Sequence, residues 1–336
     1  MSEKPYVPPY NLTDTIIHLV SEISEQVGAI TIKSEANPSL QLRRENQIRS
    51  IHSSLVIENN SLSLEQVTDI INGKRVLGAP NEIREVKNAY VAYNLLLTFN
   101  PYSMEDMLKA HNVLMADLTR ETGRFRSGGV GIFAGQRLVH MAPPAKIVPV
   151  HIGNLLNWVE NSSTHPLIKS CVFHYEFEFI HPFADGNGRM GRMWQTLLLA
   201  RWKPLFAWLP VEELIRKRQQ EYYDVLAVCD KAADSTAFIE YMLQIINDAL
   251  SELLRTEQVR EQVTVQVEKL LTILGDEVLS TRELLQRLGL KHRPTFIATY
   301  LRPALELGLI EMTIPDKPNS NKQKYRAKKT YASPMY

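Results

Sequence analysis

Apolar residues recur three and four positions apart along most of the chain, as in Ile48, Ile51 and Leu55, then Leu64, Val67 and Ile70 or Ile71, then Met107, Leu108, Leu114 and Met115. That period places them on one face of an α-helix, so the chain is predicted to be mainly α. One stretch breaks the period. Between Gly123 and Pro149, glycines at 123, 128, 129, 131 and 135 separate two short runs, Ile132-Phe133-Ala134 and Arg137 to Met141. With Gly135-Gln136 between the runs, this stretch predicts a hairpin. Helices are expected again from Val150 to Leu254, with short breaks.

A new unit is expected after the charged stretch near Arg255 to Glu261. There Val267, Leu270, Leu271 and Leu274 predict one helix, and Ser280-Thr281-Arg282-Glu283 opens a second with a capping-box pattern. Gly289 should end it, and a third helix should run from about Pro294 to Leu307 with a kink at Pro303. Leu309 to Tyr325 has the character of strand, turn and strand. Three helices followed by a hairpin is the order of a winged helix-turn-helix. The expected division is therefore an N-terminal helical region over 1–103, a helical core over 104–255 and a winged helix over 262–336.

A chain of 336 residues has room for two or three cores. Its 38 lysines and arginines against 37 aspartates and glutamates create no overall field toward nucleic acid or an anionic membrane. Cys171 and Cys229 lie far apart and lack C-x-x-C spacing, so neither a disulfide framework nor a zinc site is implied. The first residues lack a basic start followed by an apolar run, and a cytoplasmic location is expected. The most apolar stretch, Trp194 to Leu209, is interrupted by Arg201, Lys203 and Pro204 and is too broken to span a bilayer, so no membrane partner is expected. Charge does gather locally. From Lys291 to Tyr336 nine basic residues face only Glu306, Glu311 and Asp316. Both DNA and protein remain open as partners of residues 262–336.

The densest chemistry lies in His181-Pro182-Phe183-Ala184-Asp185-Gly186-Asn187-Gly188-Arg189-Met190-Gly191-Arg192. Phe173 to Ile180 reads as a buried helix that stops before Pro182, and Met190, Trp194, Leu197 and Leu198 form an apolar stripe on the next helix. Gly186 and Gly188 let the intervening backbone turn tightly and expose its N–H groups, while the second helix aims its positive end at the same place, which makes an anion cradle. Arg189 and Arg192, three apart on a face roughly opposite the Trp194 stripe, can clamp a polyphosphate. Asp185 offers a carboxylate for Mg²⁺ shared with phosphate oxygens. Asn187 can donate to the phosphate under attack, and His181 is suited to take a proton from an incoming hydroxyl.

A second pattern, Ser54-Leu55-Val56-Ile57-Glu58-Asn59, sits on the helix of Ile48, Ile51 and Leu55. Ser54 and Glu58 share a face, and Asn59-Asn60 fits a helix C-cap. A carboxylate in the last turn opposes the helix dipole, so a cation should compensate for it.

The twelve residues from His181 to Arg192 resemble the signature of the Fic family, H-P-F-x-[DE]-G-N-G-R-x-x-R, at every specified position. The resemblance implies a helical core over roughly Met104 to Trp202. It also implies a protein adenylyltransferase that uses ATP and Mg²⁺ to place AMP on a hydroxyl side chain of a target protein or of itself. By the same resemblance His181 is the base, Asp185 the magnesium ligand and Asn187 an α-phosphate contact. Gly186 and Gly188 form the anion hole, Arg189 and Arg192 hold the outer phosphates, and the hairpin aligns a target strand. The Ser54 to Asn59 pattern resembles the family's inhibitory motif, [ST]-x-x-x-E-[GN], in its N-terminal, class II placement. It implies that Glu58 pairs with Arg192 and occupies the space of the γ-phosphate; pairing into a homodimer is implied likewise. Gly188 argues against the phosphotransfer of Doc-like relatives. Transfer of UMP, removal of AMP, and a nucleotide-sensing DNA-binding regulator stand as alternatives.

Overall fold

The computed structural model describes residues 6–36, 40–134, 137–262, 265–317, 320 and 322–328. Their helices are α1 (Asp14–Ala36), α2 (Leu40–Ile57), α3 (Leu64–Ile71), α4 (Pro80–Leu95), α5 (Met104–Leu114), α6 (Val148–Asn161), α7 (Pro166–Ile180), α8 (Asn187–Trp202), α9 (Val211–Lys217), α10 (Gln219–Ala232), α11 (Thr236–Gln262), α12 (Val265–Leu274), α13 (Thr281–Arg287), α14 (Arg293–Phe296) and α15 (Arg302–Glu306). The described residues also form five short strands, β1 (Gly131–Ala134), β2 (Arg137–Met141), β3 (Leu279–Ser280), β4 (Ile310–Met312) and β5 (Lys324–Ala327). The chain divides into two compact units, Met1–Ser251 and Glu252–Tyr336.

The first unit is built around α7 and α8. Both carry apolar residues on every side, so both must be surrounded. Phe173, Phe177, Met190, Met193, Trp194 and Leu197 are fully buried. Arg189 and Arg192, expected on a face roughly opposite the Trp194 stripe, are themselves buried, 5% and 2% exposed. A buried charge must be paired, and the partners come from other helices, as described below.

The N-terminal helices pack within this same unit. Ile48, Ile51 and Leu55 are the buried face of α2. A buried carboxylate fastens that helix: Glu212 of α9 accepts from Ser50 Oγ of α2 at 2.8 Å, Tyr93 Oη of α4 at 3.0 Å and Thr196 Oγ1 of α8 at 3.3 Å. Three donors meet the hydrogen-bonding demand of an anion removed from water. The hairpin pairs β1 with β2 from Gly131↔Met141 to Ala134↔Arg137, with an irregularity between Ile132 and Phe133. Its expected turn, Gly135-Gln136, lies outside the described residues.

In the second unit, Val267, Leu270, Leu271 and Leu274 of α12 pack with Leu284, Phe296, Leu301 and Tyr325. The capping box at Ser280 and Glu283 is present, and Gly289 (φ 67°) turns the chain after α13. Three strands run antiparallel in the order β3-β5-β4 beside the three helical segments, the element order expected of a winged helix. Strand β3, two residues long, has no periodicity to reveal it. Pro303 lies in the first turn of α15. A π-helical turn, Ile297–Leu301, precedes it, closed by Arg302 N–H on the Ile297 carbonyl. The wider turn accommodates a residue that can neither donate its N–H nor tolerate the carbonyl four positions back.

Candidate active site at the α7–α8 junction

Helix α7 stops at Ile180, and His181 adopts the left-handed conformation, φ 49° and ψ 60°. Few residues with a side chain do so, and at a site of chemistry the strain fixes where the ring points. His181 Nδ1 lies 3.4 Å from the Glu178 carbonyl. Since a carbonyl only accepts, this contact keeps the proton on Nδ1 and leaves Nε2 as the basic nitrogen.

The loop after His181 is held from several sides. Asn187, buried at the start of α8, accepts from Phe183 N–H through Oδ1 and donates from Nδ2 to the Phe183 carbonyl, both at 2.8 Å. Its oxygen and one of its hydrogens thus staple the loop, and the second Nδ2 hydrogen is left for the phosphate contact expected of it. His111 of α5 lies flat on Phe183, with ring centroids 3.7 Å apart and planes at 4°. Its Nδ1 accepts from Gly123 N–H and its Nε2 donates to the Asp185 carbonyl, each at 3.0 Å. Burial lowers the His111 pKa, which keeps the ring neutral for this divided role.

Arg126, only 3% exposed, is satisfied by carbonyls. Its Nε donates to His181 O at 2.7 Å and Nη1 to Gly128 O at 2.8 Å, while Nη2 reaches the Pro143 and Ile180 carbonyls. Its own N–H bonds the Pro182 carbonyl at 3.0 Å. One guanidinium thus joins the histidine's backbone to residues on both flanks of the hairpin.

The cradle itself is built by glycines. Gly186, at φ 84°, is the N-cap of α8, and a Cβ on it would fall 2.6 Å from Met115 Sδ. A Cβ on Gly188 would fall 2.3 Å from Glu58 Oε1. A carboxylate of the chain itself therefore lies over the first turn of α8, at the positive end of its dipole.

Glu58 is delivered there by the way α2 ends. Asn59 is left-handed (φ 67°), Asn60 N–H reaches back to Leu55 O at 3.1 Å and Asn59 N–H to Val56 O at 2.9 Å. This is a Schellman ending with Glu58 as the C-cap residue. Arg192 Nη2 donates to Glu58 Oε1 at 2.7 Å and to the Ser54 carbonyl at 3.0 Å, and Nε donates to Ser54 Oγ at 3.1 Å. The cation required at this helix end is thus Arg192, and it also satisfies a terminal carbonyl. Burial raises the Glu58 pKa, but Arg192, with Arg189 and His181 behind it, outweighs burial and holds the carboxyl below its usual range.

Arg189 donates to Glu85 Oε1 of α4 at 2.9 Å and to Asp185 Oδ1 at 3.2 Å. Glu85 Oε2 accepts from Asn60 Nδ2 at 2.8 Å, which links the end of α2 to this second arginine. The Asp185 side chain is 56% exposed, and its Oδ1 also accepts from Gly186 N–H at 2.6 Å. Its Oδ2 takes no bond among the described residues. No cluster of three histidine, cysteine, aspartate or glutamate side chains is present among them either. One accessible hard oxygen ligand suits Mg²⁺ completed by phosphates and water better than a metal caged by protein.

Behind the site, one oxygen of Glu178, Oε1, is buried without a hydrogen-bond partner, 3.9 Å from His174 Nε2. Burial pushes the Glu178 carboxyl up to about 7. Thus Ser54, Glu58, His181, Asp185, Gly186, Gly188, Arg189 and Arg192 meet at one junction, with Asn187 beneath it. Sequence reasoning missed Glu85, His111 and Arg126.

Comparison with known proteins gives the site a context. The Fic/DOC family model matches residues 101–199, and that of the Filamentation induced by cAMP protein Fic-like, C-terminal domain, matches residues 265–327. The structure is similar to that of a Fic family protein from Desulfovibrio desulfuricans G20, with 55% identity, TM-score 0.73 and coverage of 97% of this chain and 100% of the other. Fic-1 from C. elegans (residues 134–508) shares the fold, with TM-score 0.59, 21% identity and coverage of 73% and 72%. Among curated proteins, Protein adenylyltransferase Fic of Drosophila mojavensis is 26% identical over 231 residues, and Protein adenylyltransferase fic-1 of Caenorhabditis elegans 27% over 218. These alignments cover 66% and 60% of this chain but only 44% and 40% of the relatives. No helix among the described residues is long and apolar enough to cross a membrane.

Proposed function

This chain belongs to the Fic family, and from that premise we propose that it is a protein adenylyltransferase, moving AMP from ATP to a hydroxyl side chain of a protein, and that Glu58 restrains it. The observation that carries the reading is the Glu58 carboxylate lying in the Gly188 cradle on Arg192, beside a strained histidine whose Nε2 is basic. An anion cradle that the chain closes with its own anion is built to admit another.

In the proposed reaction, His181 Nε2 takes the proton of the target hydroxyl as its oxygen forms a bond to the α-phosphorus. The bond from that phosphorus to the β-phosphate's bridging oxygen breaks, pyrophosphate leaves, and AMP remains on the target as a phosphodiester. Mg²⁺, held by Asp185, would supply charge neutralisation on the phosphates. Arg189 and Arg192 hold the outer phosphates once their carboxylates give way, and the α8 N-terminus receives the transferred group's charge. The hairpin, paired only with itself among the described residues, supports strand addition by a target backbone. Arg126 then ties the strand that orients the target to the loop that carries the base.

The test is covalent labelling. Glu58→Gly incubated with ATP labelled on the α- or the γ-phosphate, with and without Mg²⁺, should take up α-label on itself or on a lysate protein. The label should need Mg²⁺ and vanish in the Glu58→Gly, His181→Ala double variant. Uptake of γ-label instead would replace the reading by phosphotransfer, and no label in either form would remove the transferase.

A further inference from the structure

The second unit carries a surface that nucleotide transfer does not use. Over residues 265–328 eleven lysines and arginines face seven acids, and three of those acids are already engaged. Glu277 accepts both Nη groups of Arg287, Glu311 pairs with Arg326, and Glu283 caps α13 through Ser280. Among the described residues no carboxylate pairs with Arg282, Lys291, Arg293, Arg302 or Lys322. The unopposed charge of this unit is positive, and all five of these side chains are exposed.

Its distribution follows from the helix that runs from α14 through the π-turn to α15. Phe296, Leu301 and Ala304 are buried against the unit's core. The opposite stripe exposes Thr295, Ala298, Thr299 and Arg302, three and four positions apart, with Arg293 at the head of the helix. Side chains this small let a helix backbone come close to a neighbour, and no acid interrupts the stripe before Glu306. A hollow beside the head of that helix is lined by Arg282, Gln286, Arg293 and Gln323, so the start of α13 and the wing turn border it as well. Among the described residues of this unit only Val265 and Val278 are large exposed hydrophobics, and neither lies on the stripe, which speaks against a lipid surface.

We propose that this face binds duplex DNA, with the stripe of Thr295, Ala298, Thr299 and Arg302 in the major groove and Arg282, Arg293 and Lys322 on flanking phosphates. The groove of B-form DNA, about 12 Å wide, admits an α-helix about 10–12 Å across. The deep, narrow major groove of A-form RNA does not, so the partner is DNA rather than RNA duplex. Hydroxyls, methyls and one arginine on the stripe are side chains that read base edges, whereas the flanking cations position without reading.

The test uses the full chain and a fluorescein-labelled DNA duplex of mixed sequence, followed by anisotropy between about 50 and 200 mM salt. Affinity should fall steeply with salt, and Arg282→Ala with Arg293→Ala should flatten the log–log slope by about 2, one per lost phosphate contact. Affinity at low salt should drop at least tenfold. Lys269→Ala, on exposed α12, should change neither, and an unaltered melting curve for the double variant certifies its fold. His181→Ala should bind DNA as the wild type does, so this proposal and the transferase reading fail independently. Absence of binding at about 50 mM salt would overturn the proposal, as would equal retention by duplex RNA or anionic vesicles, or a double variant that binds like wild type.

Discussion

Two groups of arginines in this chain receive opposite treatment. Arg189 and Arg192 are almost wholly buried, and each already holds a carboxylate supplied by another helix, Glu85 and Glu58. Arg282, Arg293 and Arg302 in the second unit are exposed, and no described carboxylate answers them. The first pair is pre-neutralised, so an incoming anion must displace a resident one and the equilibrium is set by competition. The second group meets any polyanion directly and is governed by salt. Identical side chains thus make a gated site in one unit and an open surface in the other.

The comparison breaks most sharply at Glu58. Glu58→Gly should raise the rate of transfer by more than about tenfold, since each 1.4 kcal/mol of lost competition is worth a factor of ten. The pair is partly screened, the Glu58 side chain being 31% exposed, yet removing it leaves the buried Arg192 hydrogen-bonded to Ser54 alone. The apo variant should therefore lose about 1.5–3 kcal/mol, the worth of a hydrogen bond to a charged group. Mg-ATP should restore that loss, raising the variant's melting temperature more than the wild type's. Equal shifts in thermal denaturation would mean that Glu58 and nucleotide do not compete.

A smaller effect is expected at Glu178, the carboxyl behind Arg192. Its folded pKa of about 7 lies above the usual glutamate value of 4.5. Between those values the folded chain holds a proton that the unfolded chain has lost, so its contribution to stability falls as pH rises from 4.5 to 7 and is level beyond. Glu178→Gln should flatten that part of the stability curve and gain melting temperature at pH 8 relative to wild type. An unchanged profile would show the carboxyl to be solvated. Glu58, with its depressed pKa, behaves oppositely: its pairing is complete above 4.5 and fades only as pH falls through the folded value, so neutral-range pH should not open the gate.

The smallest effect concerns the seat of α2. Ser50→Ala removes one of three donors to Glu212 and should cost about 1 kcal/mol. Basal transfer should rise by only a few-fold, because Arg192 still holds Glu58. A rise matching that of Glu58→Gly would place the restraint in the seat of α2 rather than in the ion pair.

What the sequence could and could not reveal follows the same physical line. The His181 to Arg192 cradle is contiguous, and local rules of glycine, proline and helix termini suffice to read it. The pattern at Ser54 and Glu58 was legible because a misplaced carboxylate at a helix end calls for a cation. Arg126, His111, Glu85 and Glu212 act across 55, 74, 104 and 162 residues of chain, and nothing in their neighbourhoods announces the partner. Asn187 takes a second part that a local reading does not show, since its amide also staples the folded loop to Phe183. The burial of Arg189 and Arg192 was hidden for a related reason: the sequence does not show the carboxylates that cover them.

The ending of α2 has a mechanical consequence. Glu58 and Asn60 leave the same turn, one gripping Arg192 and the other holding Glu85 against Arg189. Any partner that unwinds or tilts that last turn withdraws both at a single stroke. The two cations are then released together, so the proposed activity should answer such a partner as a latch, shut or sprung, with little graded response between.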